Sequence, residues 1–207
     1  MNSNSGPQVS GLARWSPSLW GGTELLAFPS EHFEWMRTSP VQAAHWLIPT
    51  LVCSWAAAAG GTITPDPAGL AQLIERVAVV WLGTLTSGSI LWLLARLALR
   101  SRVSWWKLVA VAGLANWVAA LGWIVAALLR SALARDHAAA GPVALLEVFD
   151  PGNRGHLILQ TLDFFQIWSV ALMSVGLAKL TARSGLEGFG WVFGFWFGVR
   201  WLGILFT

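Results

Sequence analysis

Charged residues and cysteine are both scarce in this sequence of 207 residues. Only 11% of the residues are charged and 56% are hydrophobic, whereas soluble domains contain about 25% charged and about 45–50% apolar residues. A soluble core cannot hold so much apolar surface, so the composition argues against a soluble globular domain. The single cysteine, Cys53, has no partner for an intramolecular disulfide.

Recognisable catalytic and ligand-binding motifs are also missing. The four histidines show no spacing typical of a metal site, and no Ser/His/Asp arrangement, phosphate loop or carboxylate pair is readable. His45 could in principle ligate a pigment or haem, but anchoring at the membrane interface explains the fifteen tryptophans well enough. The 13 Lys and Arg residues sit mainly between apolar runs, so the net charge of +3 does not indicate nucleic acid. We predict no enzymatic activity, cofactor, metal or nucleic-acid partner.

The apolar residues are gathered into runs near 20 residues long, the length that crosses a hydrocarbon layer of about 30 Å. This pattern predicts an all-α polytopic membrane protein with about five transmembrane helices. The predicted spans are residues 42–59, 76–94, 107–129, 163–182 and 188–206. The long connection 130–162 has room for a further surface helix.

The segment before the first span divides into two parts. Residues 1–27 are rich in Ser, Gly, Pro and Asn, which predicts a flexible tail, and residues 28–207 form the transmembrane domain. Residues 30–37 predict a short interfacial helix whose apolar side, with Phe33, Trp35 and Met36, lies on the membrane. No apolar run follows a basic start in the first 40 residues, so the first span is expected to act as an uncleaved signal.

The basic residues predict the orientation in the membrane. Eight of the 13 Lys and Arg residues fall in loops or at helix ends on the side of the N-terminus and five on the other side. Cytoplasmic loops carry the excess of Lys and Arg, so we expect a cytoplasmic N-terminus and a C-terminus on the opposite side. Eleven arginines against two lysines, with abundant Ala, Gly and Trp, are typical of a GC-rich bacterial genome and favour a bacterial inner membrane.

Three polar residues inside the spans are candidates for function, because such residues are costly in lipid. Asn116, in the middle of the third span, is expected to hydrogen-bond to a neighbouring helix. Asp163 and Gln166 share a face at the start of the fourth span. They either fix the start of that helix, where its dipole favours a carboxylate, or belong to a proton or ion pathway. We favour the structural role.

The strongest local pattern lies in the fifth span, where Gly190, Gly194 and Gly198 make two consecutive GxxxG steps. This spacing brings helix backbones together in lipid, either inside the bundle or between subunits. Arg200 lies nearly opposite this glycine stripe, with Trp196 one turn earlier for a cation–π contact. We expect the stripe to pack within the bundle, and Arg200 to meet a partner carboxylate or a lipid phosphate.

The segment 162–169, LDFFQIWS, which includes Trp168, together with Leu172 and residues 175–177, resembles a segment of a known family. The family is the bacterial branch of the Yip (Ypt-interacting protein) family of small five-helix membrane proteins. Residues 28–33 and Pro49 support the resemblance. It implies a cytoplasmic N-terminus and no enzymatic activity, and the family's eukaryotic members are associated with small GTPases and vesicle traffic.

Together these observations predict a non-enzymatic membrane interaction protein, a scaffold or accessory subunit of a larger membrane complex. Its partners would be membrane lipids and other membrane subunits. The alternative is a transporter or channel component that uses Asp163 and Arg200.

Overall fold

The computed structural model describes residues 29–40, 43–59 and 67–206, and every regular element within these ranges is helical. The predicted tail at 1–27 lies outside the described residues, and so do residues 60–66. In chain order the α-helices of the described part are α1 Pro29–Thr38, α2 Ala44–Ala59, α3 Pro67–Leu93, α4 Trp105–Leu133, α5 Arg154–Thr161, α6 Phe164–Thr181 and α7 Gly185–Phe206. A π turn, Leu94–Ala98, continues α3, and a 3-10 turn, Pro142–Leu145, precedes α5.

Four helical segments are long and apolar enough to cross a membrane: Gly69–Ala98, Trp105–Leu133, Phe164–Thr181 and Gly185–Phe206. The predicted all-α membrane architecture is therefore confirmed. The predicted number of five spans is not, because α2 has only 16 residues. At about 1.5 Å per residue α2 is roughly 24 Å long, which is short of a hydrocarbon layer of about 30 Å.

Helix α4 is the centre of the bundle. In its most apolar stretch 56% of the residues are buried, against 11% in α7. It packs against α2, α3 and α6, and single glycines allow the closest approaches. A Cβ at Gly113 of α4 would stand 2.7 Å from the Trp46 backbone on α2, and one at Gly88 of α3 would stand 2.7 Å from the Val109 backbone on α4. These glycines are therefore part of the core packing, since no larger side chain fits without a backbone shift.

The short helix α1 departs from the prediction on its apolar side. Phe33 and Met36 are buried in the bundle. The Phe33 ring packs against Gly176 of α6, where an added Cβ would stand 3.2 Å from Phe33 Cε1. The face that we expected to lie on the membrane is therefore covered by the protein itself. Lys107 fixes the end of this helix, because its Nζ donates hydrogen bonds to the carbonyls of Met36 and Arg37 at 2.9 and 2.7 Å. A cation at this position also suits the helix dipole.

The loops with most of the basic residues meet at one end of the bundle, which we call the basic end. Arg183, after α6, donates a hydrogen bond to the carbonyl of Leu99, after α3, at 3.2 Å. Lys179 of α6 lies 3.8 Å from the carboxylate of Glu34 on α1. Together with Lys107, these contacts bring the end of α1, the connection between α3 and α4 and the end of α6 to the same end.

Candidate functional site

Asn116 joins three helices near the middle of the bundle. Its Nδ2 donates hydrogen bonds to Thr84 Oγ1 on α3 at 2.8 Å and to Thr50 Oγ1 on α2 at 3.1 Å. Both hydroxyls in turn donate to carbonyls of their own helices, Val80 O and Trp46 O. Thr50 and Thr84 are both buried, and Asn116 is partly buried, so most of this three-helix polar contact lies inside the bundle.

Asp163 caps the N-terminus of α6. Its backbone is extended, and its carboxylate accepts a hydrogen bond from the backbone N–H of Gln166 at 2.9 Å. This contact satisfies one of the free donors that every helix start presents. The carboxylate therefore has the structural role that we favoured on sequence grounds. Capping the helix does not prevent the same carboxylate from taking part in transport.

Arg200 points toward α6. Its Nη2 donates a hydrogen bond to Gln166 Oε1 at 3.0 Å, and its Cζ lies 6.0 Å from the centre of the Trp196 ring. At about 100° per residue, Arg200 is roughly 120° around α7 from Gly194. Arg200 and Gln166 therefore connect the last helix to the bundle on a side well away from the glycine stripe.

The glycine stripe itself faces outward. Apart from the adjacent residues and backbone of α7 itself, no heavy atom of the described residues stands within 4 Å of a Cβ built at Gly190, Gly194 or Gly198. Our expectation that the stripe packs within the bundle is therefore wrong for the part of the chain that the structure describes. The close contact between α7 and α6 instead uses Gly188, where a Cβ would stand 2.7 Å from the Ser174 carbonyl oxygen. Along the middle of α7, the stripe has no close neighbour among the residues that the structure describes.

Trp168, from the segment that resembles the Yip family, belongs to an aromatic group at the start of α6. Its ring centre lies 5.7 Å from that of Phe164 and 6.4 Å from that of Phe165. Phe165 packs over Gly122 of α4, where a Cβ would stand 2.8 Å from the Phe165 Cβ. The group therefore helps to fix α6 against the central helix.

Sequence reasoning did not single out His32, which forms an aromatic contact between α1 and α2. Its ring centre lies 6.4 Å from that of His45 and 5.9 Å from that of Trp35. Burial, with a smaller contribution from His45, lowers the pKa of His32 from its ordinary value of 6.5. The described residues include no group of three or more His, Cys, Asp or Glu side chains placed to hold a metal ion.

A lowered pKa links His32 to the stability of the fold. Well above pH 6.5 the histidine is neutral in both the folded and the unfolded chain, so it adds no dependence of stability on pH there. Below that value the unfolded chain takes up the proton first. The fold therefore loses stability as the pH falls from 6.5 toward the lower, folded-state pKa.

No protein-family model matches the chain, and neither the curated proteins nor the solved structures contain a match. The resemblance to the Yip family therefore remains a prediction. The four apolar helices define the class, a helical integral membrane protein.

Proposed function

We propose that this chain is a non-enzymatic interaction protein of the membrane, a scaffold or accessory subunit of a larger complex, and that α7 contacts a partner helix. The observation that carries the proposal is the open glycine stripe of Gly190, Gly194 and Gly198 on an outward face of a membrane-spanning helix.

Helices in lipid are held together mainly by close packing of their backbones. Apolar side chains gain little by leaving lipid for another helix, so association depends on close backbone packing. Inside this bundle Gly88, Gly113 and Gly188 provide that packing. The stripe on α7 has the same property and no neighbour among the described residues. At about 100° per residue, Phe197 and Trp201 fall on the same face and add aromatic surface beside it.

We also propose that the basic end faces the cytoplasm of a bacterium and that the protein lies in the inner membrane. The contacts of Lys107 and Arg183 support this orientation, because they gather the Lys- and Arg-rich connections at one end of the bundle. The resemblance to the Yip family points to the same orientation.

The test is affinity purification in mild detergent, with mass spectrometry of the proteins that accompany three forms of the chain. Gly194→Leu fills the middle of the stripe, and Gly83→Leu is its matched control, because a Cβ at Gly83 of α3 also meets no described atom within 4 Å. We expect the unaltered chain and Gly83→Leu to retain the same partner, and Gly194→Leu to lose it without a lower melting temperature. Equal partner retention by all three forms would contradict the proposal.

A transporter or channel component is the second candidate. It is favoured by the polar chain at the contact of α6 and α7, where Arg200 bonds to Gln166 and the Gln166 backbone bonds to Asp163. Asp163→Asn keeps the shape and much of the capping ability but removes the charge. If a solute or ion flux in reconstituted vesicles vanished in this variant while the bundle kept its melting temperature, transport would replace the interaction role.

A further inference from the structure

Arg200 places a positive charge within a membrane-spanning helix. It precedes Phe206, the last residue of α7, by six positions. At about 1.5 Å per residue its Cα is therefore about 9 Å from the helix end. A charge at such a depth is costly in hydrocarbon unless the side chain reaches the interface or meets an opposite charge.

The contacts of Arg200 within the chain are neutral. They are the side-chain oxygen of Gln166 at 3.0 Å and the face of the Trp196 ring, whose centre is 6.0 Å from Cζ. Among the described residues, the ion pairs join Glu34 to Arg37 and to Lys179, and none involves Arg200. Asp163, which precedes α6, uses its carboxylate to cap that helix. The described part of the chain thus supplies hydrogen bonding and ring contact to Arg200 but no counter-charge.

The guanidinium lies near the ends of two membrane-spanning helices, α6 and α7. Gln166 is in the first turn of α6, which begins at Phe164, so its contact with Arg200 marks the end of a second spanning helix. The Arg200 side chain is exposed, and its planar set of N–H donors matches the oxygens of a phosphate group. The amide nitrogen of Gln166, on the same side chain as the oxygen that accepts from Arg200, is a further donor at this place.

We propose that Arg200, with Gln166 and Trp196 beside it, binds the phosphate group of a membrane phospholipid at the end of α6 and α7. A carboxylate on a partner subunit is the competing source of negative charge. The geometry favours the lipid, because Arg200 is roughly 120° around α7 from the centre of the glycine stripe. A helix seated on the stripe therefore leaves the guanidinium to the surrounding lipid. The phosphate compensates the charge and holds α7 beside α6.

The test is native mass spectrometry of the purified full-length protein, released from detergent micelles with equal amounts of phosphatidylglycerol, phosphatidylcholine and a phosphate-free diacyl galactolipid. We compare the unaltered chain with Arg200→Gln, Arg200→Lys and the matched control Arg96→Gln. Arg96 also lies over a tryptophan four residues earlier, with its Cζ 5.3 Å from the centre of the Trp92 ring, but it follows α3. The two glutamine variants lose the same charge.

We expect the unaltered protein to retain the phospholipids about tenfold better than the galactolipid, the ratio that one charge-assisted contact produces. Arg200→Gln should remove this preference, Arg200→Lys should keep part of it because the charge remains, and Arg96→Gln should leave it unchanged. Equal loss in the two glutamine variants would show a general attraction of lipid to basic residues and overturn the proposal.

Arg200→Gln could also fail to fold, or could lose a co-purifying protein, and each result has a defined meaning. If Arg200→Gln fails to fold, the selectivity of the unaltered protein for phospholipid over galactolipid still decides the matter, and a protein without such selectivity would refute the site. If Arg200→Gln keeps its lipid but loses a co-purifying protein, the counter-charge belongs to a partner subunit and the proposal is wrong.

Discussion

Replacing Asn116 by leucine should weaken the bundle by a small, calculable amount. The substitution removes the two hydrogen bonds to Thr50 and Thr84 that join α4 to α2 and α3. Leucine is of similar size, so the change deletes the polar contact with little change in packing volume. Both threonine hydroxyls still donate to Trp46 O and Val80 O, so no buried donor is left without an acceptor.

The size of the effect follows from this arrangement. Interhelical hydrogen bonds inside membranes contribute about 0.6 kcal/mol on average and up to about 1.7 kcal/mol. Two such bonds give an expected loss of about 1–2 kcal/mol for Asn116→Leu. Thr84→Val, which has nearly the same shape, removes only the shorter of the two bonds. The double variant should therefore lose less than the sum of the single variants, by about 0.6 kcal/mol or more.

The assay is unfolding in mixed micelles of mild detergent and dodecyl sulfate, followed by tryptophan fluorescence. Thr181→Val is the matched control, because the Thr181 hydroxyl bonds only to carbonyls of its own helix. Its effect should add to that of Asn116→Leu within about 0.5 kcal/mol. If the Asn116 and Thr84 variants were also additive, the three-helix polar contact would not contribute to stability and our account of it would fail.

Three further predictions concern packing, protonation and topology. Gly113→Ala should lower the melting temperature and reduce the free energy of unfolding by about 1–3 kcal/mol, because its Cβ would stand 2.7 Å from the Trp46 backbone. An unchanged melting temperature would show that α2 and α4 move apart without cost. The melting temperature of the protein should fall as the pH is lowered from 8 to roughly 5, and that of His32→Gln should fall less. An equal pH dependence of the two melting temperatures would exclude His32 as the cause. In a cysteine-free background of intact cells, an impermeant thiol reagent should label a cysteine at Gly152 but not one at Arg100, and the reverse would invert the orientation.

The boundaries of α6 show what the sequence predicts well. We predicted a span at 163–182, and the helix is Phe164–Thr181, with Asp163 as its N-cap and Ala182 in the left-handed conformation that ends it. Local chemistry sets both ends. The Asp163 side chain accepts a hydrogen bond from a free backbone N–H of the first turn, and Ala182 leaves the right-handed helical conformation.

Helix α3 shows where hydropathy gives an incomplete answer. The predicted span began at residue 76, but the helix begins at Pro67, nine positions earlier. Its first turns contain Gln72, Glu75 and Arg76, which interrupt the apolar run without interrupting the helix. Hydropathy detects the part of a helix that prefers lipid, whereas backbone hydrogen bonding continues through polar residues with good helix propensity.

The glycine stripe shows what the sequence could not decide. In a soluble protein an apolar face must be buried, so periodicity indicates which side of a helix meets the core. In a membrane both sides of α7 are apolar, and lipid and protein are equally compatible neighbours for Gly190, Gly194 and Gly198. The structure was needed to show that Gly188, one turn before Val192, makes the close internal contact instead.

The central claim, that the outer face of α7 meets another protein in the membrane, is tested most directly by site-specific photo-crosslinking in native membranes. A photoreactive phenylalanine analogue replaces Phe197, which is 44% exposed and lies beside the stripe, or Leu82, which is 64% exposed on α3. We predict a discrete protein adduct from position 197 and only lipid adducts from position 82. Lipid adducts alone from both positions would show that the stripe faces the bilayer and would contradict the account.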